Sequence, residues 1–197
     1  MLENDENMGQ EIEKEDRTFV KRLLQARVIM ISEVITDRLA KNVTTQCILM
    51  QEHDPKAPIT VYVNSPGGSA DSGFAIYDIL RFVTSPVRTI CTGICASAAV
   101  LIYLAAEKKN RYALLNSRFL LHQPSTSLMG TASDIEISAN EIIKLKERYN
   151  GIVALETNKT IEQINKDADR DFWLSAQEAK EYGLVDKVIQ SSSEIEK

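Results

Sequence analysis

The stretch that decides the fold is "VRTICTGICASAAVLIYLAA", residues 87–106. Val87, Thr89 and Ile90 are β-branched, and the run 87–91 reads as a buried strand. Gly93 then supplies a turn. From Ile94 to Ala106 every residue is apolar or small, with Ser97 the one hydroxyl near the head of the run. A run of 13 residues falls well short of the roughly 20 needed to cross a bilayer, so it reads as a buried helix. Strand, turn and buried helix in this order form half of a βαβ crossover.

Working outward, the same alternation continues. Residues 27–31 ("RVIMI"), 59–63 ("ITVYV") and 118–121 ("RFLL") read as further strands. A helix over 36–51 places Leu39, Val43, Cys47 and Met50 on one face, and another spans Asp71 to Phe82 before Ser85-Pro86 ends it. Strands and helices alternating at this spacing predict an α/β fold with a mostly parallel sheet. The second half is mainly helical. Capping boxes at Ser133-x-x-Glu136, Thr160-x-x-Gln163 and Ser175-x-x-Glu178 mark helix starts, and Gly183 marks an end. Ile135, Ile142 and Tyr149 recur every seven residues, so one helix runs from about 132 to 157 despite Gly151. So long a helix outruns a small core, and part of it is expected to project and pack on another subunit.

Bulk properties narrow the function classes. The 197 residues suit one domain, expected over 18–190, with an acidic flexible arm at 1–17 and a disordered tail at 191–197. Net charge is −5 with no Lys/Arg cluster, which argues against nucleic acid as a partner. The first residues lack the basic start and apolar core of a secretion signal, and no membrane partner is expected. Cys47, Cys91 and Cys95 form no C-x-x-C pair, so reduced, packed thiols in a cytoplasmic protein are the simplest reading, with little support for a reactive Cys95.

Reactive groups in an α/β sheet collect beyond the carboxyl ends of the strands. Three stretches fall there: "NSPGGS" (64–69), "TGICAS" (92–97) and "HQP" (122–124). Taken alone, Ser97 is a small residue that lets a helix pack closely; at a strand-end crevice it is also a nucleophile at a helix start. His122 directly follows strand residues, whereas His53 lies in a polar turn and reads as solvated. A lone histidine is usually structural, but imidazole at that strand end suits removal of a serine proton. "NSPGG" reads as a turn, or as a loop whose N–H groups face an oxyanion. Spacing leaves the orienting acid open among Asp78, Asp134, Asp167, Asp169, Asp171 and Asp186.

Together, "YVNSPGGS", "CTGICASAAV", "NSRFLLHQP", "ASDIEI" and "DRDFWLSAQEAKEYGLVD" resemble the proteolytic subunits of the Clp protease, the ClpP family of serine peptidases. The likeness covers about residues 26–189. It implies a ClpP/crotonase-type β-α spiral with a projecting helical handle. It implies Ser97 as nucleophile, His122 as general base and Asp171 as the acid orienting the imidazole. Gly68 and Ala98 match the positions whose backbone N–H groups form the oxyanion hole. No cofactor or metal is implied. The family stacks two seven-membered rings, a tetradecamer, around a chamber where peptides and unfolded proteins are cut. An AAA+ unfoldase such as ClpX, ClpA or ClpC feeds that chamber; this chain has no G-x-x-x-x-G-K-[ST] motif, so ATP chemistry belongs to such a partner. Tyr62, Phe82 and Tyr112 match aromatic positions of the unfoldase-docking groove, though they also read as ordinary core aromatics. Asp169 and Arg170 match positions that pair between rings.

The chain departs from that family in three places. Where the family has a glycine-rich strand after "HQP", this sequence reads "STSLMGT" (125–131). Ala98 replaces a common Met, and the acidic arm differs from the usual axial loop. These departures resemble a divergent second paralogue. The competing readings are therefore a regulatory or scaffold ring subunit that needs a partner ClpP, and a crotonase-type acyl-CoA enzyme.

Overall fold

A computed structural model describes residues 18–125 and 127–195. The elements run α1 (18–25), β1 (Val28–Ile31), α2 (Asp37–His53), β2 (Ile59–Ser65), α3 (Ala70–Phe82), β3 (Val87–Ala96) and α4 (Ala98–Leu104). They continue with β4 (Arg111–Leu114), β5 (Arg118–Leu121), α5 (Ala132–Thr157), α6 (Ile161–Asp167), β6 (Phe172–Ser175), α7 (Ala176–Tyr182) and β7 (Lys187–Ile189). The sheet runs β1-β2-β3-β4-β7, with β5 pairing β3 and β6. Every pairing is parallel except β5 with β6.

Strand β3 explains both the architecture and the main departure from expectation. Its first part, Thr89–Cys91, pairs with β4, and its last part, Ile94–Ala96, pairs with β5. Residues Ile94, Cys95 and Ala96 were expected to open the helix; they extend the strand instead. Their backbone finds partners on Arg118–Leu120, and the Asn64 side-chain oxygen accepts from the Ile94 N–H at 3.0 Å. A continuous apolar run fits a buried strand as well as a buried helix, so composition alone could not divide it. The helix proper, α4, begins at Ala98, and all seven of its residues are buried.

Helices α2, α3 and α4 carry Leu39, Val43, Phe74, Ile76, Leu101 and their neighbours into the main core beneath the sheet. Arg111 is wholly buried and donates to the carbonyls of Leu104, Ala106 and Glu156 and to the Glu156 carboxylate. It ties β4 to the end of α4 and to α5.

Helix α5 has 26 residues and so extends about 39 Å. Only Tyr149, Asn150, Val153 and Thr157 are buried, all in its second half, so the first half projects. Its cap is Thr131, whose hydroxyl accepts from the Asp134 N–H; the expected cap Ser133 lies inside the helix. Thr160 caps α6, and Ser175 forms a reciprocal box with Glu178 that starts α7. Gly183 at φ 101 ends α7. The tail expected to be disordered from 191 is ordered through 195. Ser191 caps a 3₁₀ turn at Ser192–Glu194, and Ile195 packs on Ile90, Tyr112 and Ile189. The expected arm at 1–17 lies outside the described residues, as do residues 196–197.

Candidate active site

Ser97 lies at the junction of β3 and α4 with φ 55 and ψ −126. A non-glycine residue there carries about 1–3 kcal/mol of strain, held by its surroundings. Its N–H donates to the Leu120 carbonyl at 3.0 Å, and its carbonyl accepts from the Val100 N–H at 3.0 Å. Its side chain makes no capping bond to α4, although serine is a good N-cap residue. The hydroxyl is thus left for other use.

His122 follows the last residue of β5, and Asp171 immediately precedes β6. Because β5 and β6 pair antiparallel, with Leu121 opposite Phe172, the two side chains are brought side by side. His122 Nδ1 and Asp171 Oδ1 are 3.1 Å apart. Of the six aspartates left open by spacing, Asp171 alone bonds the imidazole among the described residues. Its side chain is 63% exposed. Ser97 and His122 line one cavity of about 310 Å³, together with Gly68, Ala98, Phe74 and Tyr149. Among the described residues no hydrogen bond joins the Ser97 hydroxyl to His122.

The loop 64–69 is pressed against Ser97. Gly67 has φ 96, and a Cβ there would sit 2.7 Å from Ser97 Cβ. Gly68 bridges Ile35 through two bonds, Ile35 N–H to Gly67 O and Ser69 N–H to Ile35 O, neither of which uses the Gly68 N–H. As the first residue of α4, Ala98 has no intrahelical acceptor for its N–H. Gly68 and Ala98 both line the cavity that Ser97 lines. The arrangement offers a hydroxyl, an oriented imidazole and two amide donors around one space, the components of acyl transfer.

The matching family model, described as Clp protease, covers residues 11–192. The ATP-dependent Clp protease proteolytic subunit 2 of Treponema pallidum (strain Nichols) is 40% identical over 185 residues, 94% of this chain and 93% of that protein. The chain belongs to the Clp protease family. A solved structure of a mutant ClpP1 from Listeria monocytogenes superposes with a TM-score of 0.84 at 40% identity. The match spans 90% of this chain and 99% of that one. The mixed α/β fold with its parallel sheet is therefore that of a Clp protease chain.

The other matched positions are dispersed. Tyr62 and Tyr112 share a cross-strand row and pack with Ile90 and Ile189 on the sheet face opposite the main core. Phe82 ends α3 and is 76% exposed, outside that cluster. Asp169 and Arg170 are exposed beside His122, and among the described residues no ion pair joins them. The Asp169 carbonyl accepts from the Gln123 side chain at 2.9 Å. Cys95 is fully buried, and burial holds its thiol well above the usual value. Among the described residues no cluster of three or more His, Cys, Asp or Glu is placed to hold a metal, and no helix is long and apolar enough to cross a membrane.

Sequence reasoning missed Tyr149. The seven-residue recurrence marks it as an apolar position, yet its hydroxyl donates to the Ser97 carbonyl at 3.2 Å. Its one sequence signal is chemical: a phenol stands where the recurrence otherwise places isoleucine.

Proposed function

We propose that this chain is a serine endopeptidase subunit that cleaves peptides and unfolded proteins through an acyl-enzyme. The observation that carries the reading is the 3.1 Å contact of His122 Nδ1 with Asp171, at the edge of a cavity that Ser97 and His122 both line. With Nδ1–H donated to Asp171, His122 Nε2 holds the lone pair that takes the Ser97 proton. Ser97 Oγ attacks the peptide carbonyl, and the Gly68 and Ala98 N–H groups hold the resulting oxyanion. His122 passes its proton to the leaving amine, and water then releases the acyl group by the reverse sequence.

The relative from Treponema is named as part of an ATP-dependent protease. By that likeness the chain works in stacked heptameric rings with an AAA+ unfoldase. Tyr62, Tyr112 and Phe82 then belong to its docking surface, with Phe82 serving a neighbouring copy. Asp169 and Arg170 then meet the opposite ring.

One observation favours the regulatory-subunit reading. The described residues between His122 and Gly130 form no strand, and Met129 is 100% exposed. Among the described residues of this one chain, no edge strand follows His122 to pair with substrate. Hydrolysis of short fluorogenic peptides decides between the readings. Turnover by the purified protein that Ser97→Ala abolishes supports the peptidase. Turnover that appears only when a second ClpP is added supports the regulatory subunit. Equal turnover in Ser97→Ala refutes the assignment of the nucleophile.

A further inference from the structure

We infer that Tyr149 is a positioning residue whose phenol O–H, bonded to the Ser97 carbonyl, holds the nucleophile turn in its reactive shape. The inference rests on the reading of Ser97 as nucleophile, and goes beyond it by bringing α5 into the site.

Three bonds hold the backbone of Ser97. One comes from β5 through Leu120, one from α4 through Val100, and one from α5 through Tyr149. The Tyr149 bond is the one of these made by a side chain. It reaches across 52 residues of sequence to a residue at φ 55. Such a backbone relaxes unless several contacts over-determine it. Its anchor is firm: Tyr149 is 5% exposed, and its neighbour Arg148 stacks 4.1 Å over the Phe74 ring. Burial holds the phenol well above its usual titration range, so the group remains a donor throughout the range in which proteases are assayed.

The seven-residue recurrence does not itself need this hydroxyl, since Ile142 and Ile135 stand one and two heptads earlier on the same stripe of α5. The Ser97 carbonyl also keeps its bond from Val100 when the phenol is removed. Tyr149→Phe therefore deletes the positioning bond, keeps the ring that lines the cavity and orphans no acceptor.

The test compares wild type, Tyr149→Phe and Ser97→Ala as full chains. Each is treated with a fluorophosphonate probe, and the rate of Ser97 acylation is followed by mass spectrometry against probe concentration. The limiting rate of Tyr149→Phe should fall about three- to tenfold, the effect of one lost hydrogen bond felt in the transition state. The half-saturating concentration should stay unchanged, and the melting temperature should fall by no more than a few degrees. An unchanged limiting rate overturns the inference. A change confined to the half-saturating concentration also overturns it, making Tyr149 only a wall of the cavity. A wild type that reacts no faster than Ser97→Ala overturns the nucleophile reading itself, which separates the two failures.

Discussion

The close packing of the 64–69 loop on the nucleophile makes Gly67→Ala a sharp perturbation. The added Cβ would lie 2.7 Å from Ser97 Cβ and 2.8 Å from the Ala96 carbonyl. The first contact has to open by about 0.7 Å to reach the ordinary limit of about 3.4 Å. Both neighbours belong to the turn that carries the hydroxyl, so the displacement falls on the reacting atom. A misplacement of about 1 Å costs about a hundredfold in rate, so kcat per active site should fall about ten- to a hundredfold. The backbone adds its own term: at φ 96 a side chain is strained by about 1–2 kcal/mol, and overpacking adds about 1–3 kcal/mol. The control is Gly151→Ala. Gly151 lies within α5, and a Cβ there meets nothing within 4 Å. It should stabilise the chain by about 0.5–1 kcal/mol, with kcat unchanged. Peptide hydrolysis normalised by active-site titration, with thermal melts on the same samples, reads both effects. Wild-type kcat in Gly67→Ala would refute the argument that this loop and Ser97 form one packed unit.

Two further outcomes follow from the interior. Arg111→Met should cost about 3–5 kcal/mol in urea unfolding, because three carbonyls and one Glu156 carboxylate oxygen lose the donor that Arg111 supplies, while Arg81 and Tyr77 reach only the other oxygen; Glu156→Gln, which keeps an acceptor, should cost less. Burial pushes the Cys47 thiol from 9.0 up to about 12, so the folded chain retains a proton that the unfolded chain releases. The associated stability is complete below pH 9.0, declines as pH rises and is gone by about pH 12. Between those limits Cys47→Val should flatten the stability-against-pH slope by up to about 1.4 kcal/mol per pH unit, measured by denaturant midpoints at about pH 9.5 and about pH 10.5. An identical slope in the variant would refute it.

Much of the fold was legible because its signals are local. The seven-residue recurrence of Ile135, Ile142 and Tyr149 and the breakers around Ser85-Pro86 place α5 and the end of α3 to within a residue or so. What escaped depends on partners distant in sequence. Ile94–Ala96 is strand because Arg118–Leu120 lies beside it. Strands β4, β6 and β7 have three or four residues each and begin or end on polar side chains, so only their neighbours reveal them. The cap of α5 moved from Ser133 to Thr131 because either hydroxyl satisfies the local pattern, and the backbone of the preceding loop chooses.

The candidate site divides in the same way. Strand ends pointed to Ser97, His122 and the glycine turn from sequence alone. The partner of His122 could not be read from spacing, because the antiparallel register of β5 and β6 is what sets Asp171 beside it. The family likeness named Asp171, and the register supplies the physical reason. The hydroxyl of Tyr149 was invisible to periodicity, which registers only that the position faces inward.

The central claim is that Ser97 and His122 act as one reacting unit, and a mutant cycle tests it most directly. Peptide turnover is measured for Ser97→Ala, for His122→Ala and for the two combined. Groups that act together give a double variant no slower than either single one. Losses that multiply, or substantial turnover remaining in His122→Ala, would contradict the claim.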